Sequence, residues 1–252
     1  MAPPRAAGRP AKAPAGKAGR SPVAFFGAAA GLVLVLVVLA VVVLVTRRGD
    51  DRSAPQVPAA AQMGRPAGSG LSPGSYSSSP STEVFEPIDQ RSADRAPLTV
   101  AELFADRTIS DSGSKAKLTL QSTRLDRDCA KAMWGSLAGN VLRKGLCTQA
   151  ARAYYLDKKK GYAVTIGVFN LAGSADADRA VETFGPAGFV KPLPGAEPGE
   201  GFSVARGLAM GHFAVITWVR RLDGGGDEQD EALLSLLVTG TKAEAIYGRA
   251  AA

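Results

Sequence analysis

The sequence predicts an α+β fold for residues 98–252, held outside a membrane by one transmembrane helix and a flexible tether. Three observations predict it. The run VAFFGAAAGLVLVLVVLAVVVLV, Val23–Val45, has 23 residues and no charged or hydrogen-bonding side chain. Residues 46–97 are rich in Pro, Ser, Gly and Ala and lack hydrophobic periodicity. Beyond Pro97 the apolar pattern switches between period 2 and period 3.6, in the order β-α-β-β-α-β-β-α.

Residues 1–22 carry Arg5, Arg9, Lys12, Lys17 and Arg20 and no acid. So little apolar surface cannot fold, and the segment is expected to be a disordered cytoplasmic tail. Val23–Val45 follows as a signal-anchor. At about 1.5 Å per residue it reaches roughly 35 Å, enough for a hydrocarbon core of roughly 30 Å. A cleaved signal peptide would have an apolar region of only about 7–15 residues and a small-x-small site at its end. Here the run ends in TRRGDD instead. Five basic residues before the span against Arg47, Arg48 and Arg52 after it place the N-terminus in the cytoplasm and the C-terminal part outside. Gly27 and Gly31 give a GxxxG spacing that brings two helices close. The 46–97 tether, at about 5–6 Å × √n, lets the head search roughly 40 Å from the membrane.

Within the head, Thr99-Val-Ala-Glu102 is a capping-box pattern for one short helix. Lys115–Leu125 alternates as a first strand. Asp128–Lys144 has small or apolar pairs at helical spacing. Thr148–Leu156 and Tyr162–Leu171 flank Asp157-Lys-Lys-Lys-Gly161 as a hairpin, Gly supplying positive φ. Val164, Ile166 and Val168 share one face of the second strand and Phe169 and Leu171 the other, which marks a central strand buried on both sides. Ser174–Phe184 reads as a helix capped by Ser174 or Asp176. Phe202–Arg206 and His212–Arg221 form a second hairpin across Gly207 and Gly211. Asp227–Val238 is a helix whose first turns carry four acids, complementing the macrodipole. Thr241 opens a last short segment with another capping-box pattern. The first six elements match the ferredoxin-like split βαβ arrangement, an antiparallel sheet with helices on one face.

The formal net charge of +7 does not make this a nucleic-acid binder. Residues 98–252 hold 19 Lys/Arg and 17 Asp/Glu, a net of +2, and the tail alone supplies the remaining +5. The basicity belongs to topology and lipid headgroups. Catalytic and metal chemistry lack their residues too. A single histidine, His212, excludes multi-histidine sites, and two cysteines with one histidine fall short of a zinc tetrad. His212 is expected to be a packed, hydrogen-bonded residue at a strand start. No Gly-x-Ser-x-Gly, Ser-x-x-Lys or His-Glu-x-x-His occurs. Asp126 and Asp128 beside Arg124 and Arg127 read as a solvated surface. The glycines 224–226 precede an acid-rich helix start, the wrong charge for a phosphate cradle. No cofactor is implied.

The long loop 185–201 is the remaining site candidate, with Phe189, Val190 and Leu193 as an apolar rim for a partner. Its LPGAE lies inside the head without the C-terminal tail that a sortase signal requires. Outside the membrane, the only two cysteines, Cys129 and Cys147, are expected to pair. A straight helix over 129–144 would separate its ends by roughly 22 Å, which the three following residues cannot recover. The bridge therefore requires a break, at Gly135 or at Gly139-Asn140.

The tail, span and tether, then Cys129, GLCTQAARAYY and GHFAVITWVRR, resemble membrane-anchored proteins of unknown function from high-GC actinobacteria. The resemblance implies topology and an outer-surface location, and no activity. The expected role is a non-catalytic binding head at the cell envelope, its partner a membrane protein, an envelope polymer or a small ligand. An envelope-acting hydrolase using carboxylates, or an accessory subunit of a transport or secretion complex docking through the span, are the alternatives.

Overall fold

Residues 63–252, apart from Ala187, Glu197, Pro198 and Lys242, are described by a computed structural model. The predicted span Val23–Val45, the tail before it and residues 46–62 lie outside the described residues. Among the described residues no helix is long and apolar enough to cross a membrane.

The alternating segments become one curled, mixed sheet of seven strands: β1 Ser75–Ser79, β2 Thr108–Asp111, β3 Ala116–Asp126, β4 Gln149–Asp157, β5 Tyr162–Asn170, β6 Ser203–Met210 and β7 Phe213–Arg221. Their spatial order is β1-β6-β7-β5-β4-β3-β2. The helices are α1 Val100–Leu103, α2 Ser136–Lys144, α3 Ser174–Thr183, α4 Glu231–Gly240 and α5 Glu244–Ala250. From β3 onward the element order is the expected β-α-β-β-α-β-β-α, and β5 is the middle strand.

The ferredoxin-like order is not formed. That arrangement would place β3 beside β5, whereas β3 pairs antiparallel with β4 and β7 lies between β5 and β6. Nor do the helices share one face. Val164, Val168, Phe213, Val215 and Val219 point into a core covered by α4, α5 and the 3-10 turn Glu83–Ile88. Phe169, Ala214, Ile216 and Trp218 point into a second core under α2 and α3. A central strand that is apolar on both faces leaves neither face free for water, so each must be covered.

The expected tether is folded from residue 63 onward. Gly64 and Gly135 donate backbone N–H groups to Asp128 Oδ1 and the Ala67 carbonyl, and Trp134 Nε1 donates to the Leu71 carbonyl at 2.9 Å. The serine-rich β1 then joins β6 as the single parallel pair. Tyr76 anchors it, donating its hydroxyl to the Val181 carbonyl at 2.6 Å with its ring edge-on to Phe189. Phe85 and Ile88 are buried in the first core. Tyr76, Phe85, Ile88 and backbone pairing hold a segment whose composition shows no periodicity.

The hairpin turns follow the glycines. Gly161 has φ +75° at the β4–β5 turn, where Asp157 accepts from Lys160 N–H. β6 runs through Gly207 to Met210, leaving Gly211-His212 as a two-residue turn. Gly211 has φ +58°, and a Cβ there would lie 2.3 Å from the Ile88 carbonyl oxygen. The starts of the last helices differ from expectation. The helix expected from Asp227 begins at Glu231, where Asp230 accepts from Ala232 and Leu233 N–H. Thr241 donates back to the Leu237 carbonyl rather than opening α5.

Cys129 and Cys147 stand at disulfide distance, with Cα atoms 6.2 Å apart, and both are buried. The run between them is broken as the geometry requires. A 3-10 turn, Cys129–Ala132, gives way to extended backbone, and Gly135 at φ +91° starts α2. This break returns the chain beside β3 rather than across the sheet. The 18-residue separation predicts that the double variant Cys129→Ala/Cys147→Ala loses about 3 kcal/mol of unfolding free energy under oxidising conditions. Reductant should reproduce that loss in the parent chain. Two free thiols in the unreduced, unfolded parent would contradict the pairing.

Candidate functional site

The sequence placed the candidate site in the 185–201 loop, and the structure moves it. Phe189, Val190 and Leu193 are all at most 2% exposed. Phe189 meets Trp218 edge-on at 5.3 Å and also contacts Tyr76 and Phe184. Trp134 N–H donates to the Phe189 carbonyl, and Lys191 N–H to the Ala132 carbonyl. Phe189 and Val190 therefore plug the second core, Leu193 packs with Tyr154, Ala163 and Ala196, and these side chains offer no rim to a partner. The pattern FVKPL reads equally as a surface patch or as filler, and burial decides between them.

Arg152 lies beneath this plug. It donates through Nη2 to Asp126 Oδ2 and through Nη1 to the Lys191 carbonyl, both at 2.7 Å. Asp126 is thus buried and paired, not part of a solvated surface; only its second partner, Arg124, is exposed. Burial lowers the Arg152 pKa, with the Asp126 bond opposing that shift.

On the other face, the curl of the sheet leaves an open cleft of about 550 Å³. Tyr155, Ile166 and Val168 of β4 and β5 form its floor. One wall is α1 with β2, and the other is the junction of α4 and α5. Asp111 holds the walls together. Its carboxylate accepts from Ser114 N–H and hydroxyl at 2.6 Å, and from the Ser235 and Thr239 hydroxyls of α4 at 2.8 Å. Burial raises the Asp111 pKa, but these four bonds outweigh it and hold the group below the ordinary carboxylate value.

Carboxylates mark the cleft. Glu102, Asp106 and Glu244 line it, and the described lining residues include no Lys or Arg. Tyr155 donates its hydroxyl to the Asp106 carbonyl at 3.0 Å. Burial pushes that hydroxyl up to about 12, with the Asp106 charge adding to the rise and Arg107 opposing it. Glu102 is held by Arg249, at 2.5 Å to Nε and 2.7 Å to Nη2. Arg249 also grips both Asp94 oxygens at 2.9 Å. Beyond Asp94 lies His212, fully buried, its Nε2 3.3 Å from Asp94 Oδ2 and its Nδ1 without a partner. A four-residue chain of charge-assisted contacts thus runs from the cleft wall to the β6–β7 turn. His212 is packed and hydrogen-bonded as expected, but within the turn instead of at the start of a strand.

Among the described residues no cluster of His, Cys, Asp or Glu is arranged to hold a metal ion. Comparisons with protein-family models, with curated proteins and with solved structures find no match to this chain. Nothing in the sequence links Glu102 to Arg249, 147 positions away. A capping-box acid and a terminal arginine are ordinary residues until the fold joins them.

Burial lowers the His212 pKa from 6.5, partly offset by the Asp94 hydrogen bond and charge. A depressed folded value means that the unfolded chain takes up the proton first. Stability is full above about 6.5 and declines as pH falls from there toward the folded value. In denaturant titrations between about pH 5 and 8, the range where histidine titrates, His212→Asn should remove that decline. An unchanged pH dependence in the variant would contradict it.

Proposed function

We propose that the chain is a non-catalytic binding protein of the cell envelope. Val23–Val45 anchors it in the plasma membrane, with the N-terminus in the cytoplasm. The folded head outside takes a small ligand in the cleft between α1/β2 and α4/α5. The observation that carries this reading is the cleft itself. Its size lies within the range of roughly 300–1,000 Å³ usual for small-molecule sites, with an apolar floor and a few polar groups at its walls.

Two observations support binding over hydrolysis. A carboxylate pair working as acid and base needs one member kept protonated by its surroundings. Asp94 and Glu102 instead share the Arg249 guanidinium, which occupies both as ion-pair partners. His212 lies below the surface with its ring against Phe213, and Asp94 occupies its Nε2. The burial of Phe189, Val190 and Leu193 also removes the apolar rim for a macromolecular partner at the 185–201 loop. That favours a small ligand over a protein or an envelope polymer.

Photo-crosslinking in cells tests the reading. A benzoylphenylalanine at Ala245, which lines the cleft from α5, should yield a discrete small-molecule adduct on the full-length chain. The same probe at Leu137, exposed on the opposite face, should not. The same adducts at both positions, or none at Ala245, would overturn it.

A further inference from the structure

We propose that the ligand of the cleft is a cationic amphiphile, an apolar body carrying a protonated amine. This rests on the cleft being a binding site, and it names the chemistry that the site selects. The floor, Tyr155, Ile166 and Val168 with Leu103, Phe104 and Ile109 beside it, offers apolar side chains for contact. Only the walls are charged, and among the described lining residues every charge is negative. An apolar body on the floor places a head group within reach of those walls.

The negative charge is only partly offset from behind: Arg107 acts on the Tyr155 hydroxyl from outside the lining. Arg249 is the cation in contact with a lining acid, and it serves two carboxylates, Glu102 and Asp94. That trio keeps one net negative charge. Asp106 and Glu244 add two more. The C-terminal end of α4, Thr239 and Gly240, also lines the cleft, and the negative pole of that ten-residue helix reinforces the field. Glu244 sits in the first turn of α5 and so offsets the opposite pole of that shorter helix. The Thr239 hydroxyl, which donates to Asp111, keeps its oxygen as an acceptor for an N–H group of an ammonium. A carboxylate or phosphate head would face the same charges without a cationic partner among the described lining residues.

The test uses the full-length chain in lipid nanodiscs and three probes with one body: 4-phenylbutylamine, 4-phenylbutan-1-ol and 4-phenylbutanoate. Binding is read by calorimetry at neutral pH against empty nanodiscs. The amine should bind about tenfold more tightly than the alcohol, the scale expected for two partly screened charge contacts, and the acid more weakly than either. Asp106→Asn/Glu244→Gln, both at exposed positions, should lower the preference for the amine to what the Glu102–Asp94–Arg249 trio alone supplies; an undiminished preference would contradict the assignment. Ala105→Trp, which fills the mouth, should weaken every probe that binds. If the alcohol or the acid binds as tightly as the amine and Ala105→Trp removes that binding, the cationic assignment falls and the cleft stands as a site. If no probe binds, or binding survives Ala105→Trp, the cleft reading falls and this inference with it.

Discussion

The buried carboxylate of Asp111 is the contact on which the candidate site depends. It lies at the end of the short edge strand β2, and two of its four hydrogen bonds come from Ser235 and Thr239 on α4. A curled sheet brings its edge toward the helices on its concave face, but curl alone does not fix the distance. A buried carboxylate without donors is costly, so the donors must follow wherever Asp111 goes. Ser235 and Thr239 are one helical turn apart, and this spacing presents both hydroxyls on the same face of α4. Edge strand and helix are thereby held at one separation, and the cleft is the space left between them. β2 also exposes the backbone of an edge strand, a liability that packing against α4 reduces.

The rest of the architecture follows from strands that are apolar on both sides. β5 and β7 carry large side chains alternately to each face, so the molecule needs two covers. The first is built from α4, α5, α1 and the 3-10 turn at Glu83–Ile88. The second is built from α2, α3 and the 185–201 loop, with Cys129 and Cys147 fastening the entrance to α2. The second cover fills its space with Phe169, Phe184, Phe189 and Trp218, while the first stops short and leaves an opening. That asymmetry separates a structural face from a face with room for a ligand.

Much of this plan was legible in the sequence, and the misses have physical reasons. Val164/Ile166/Val168 against Phe169/Leu171 placed β5 at the centre, because two apolar faces have no other location. The spacing of Cys129 and Cys147 forced a break, and Gly135 supplied it. β1 and β2 were missed because SYSSS and TISD are short and polar; their neighbours, not their own side chains, make them strands. Strand order was missed because no local pattern says whether β3 returns beside β4 or crosses to β5. The contacts of the cleft are beyond local reading as well, since Asp111 and Ser235 are 124 positions apart. Phe189, Val190 and Leu193 were read correctly as apolar and wrongly as exposed, because a long Pro- and Gly-containing loop looks the same whether it plugs a core or skirts it.

The proposed role joins these observations: an anchored head whose closed face gives rigidity and whose open face is free to bind. Its central claim is that one latch, Asp111 to α4, defines the open face. Native-state amide hydrogen exchange on Asp111→Ala tests this most directly. The account predicts that Thr108–Asp111 and Ser235–Thr239 lose protection together, while Val164–Val168 and Val215–Val219 in the central strands keep theirs. Unchanged protection at both walls, or a uniform loss across the sheet, would contradict it.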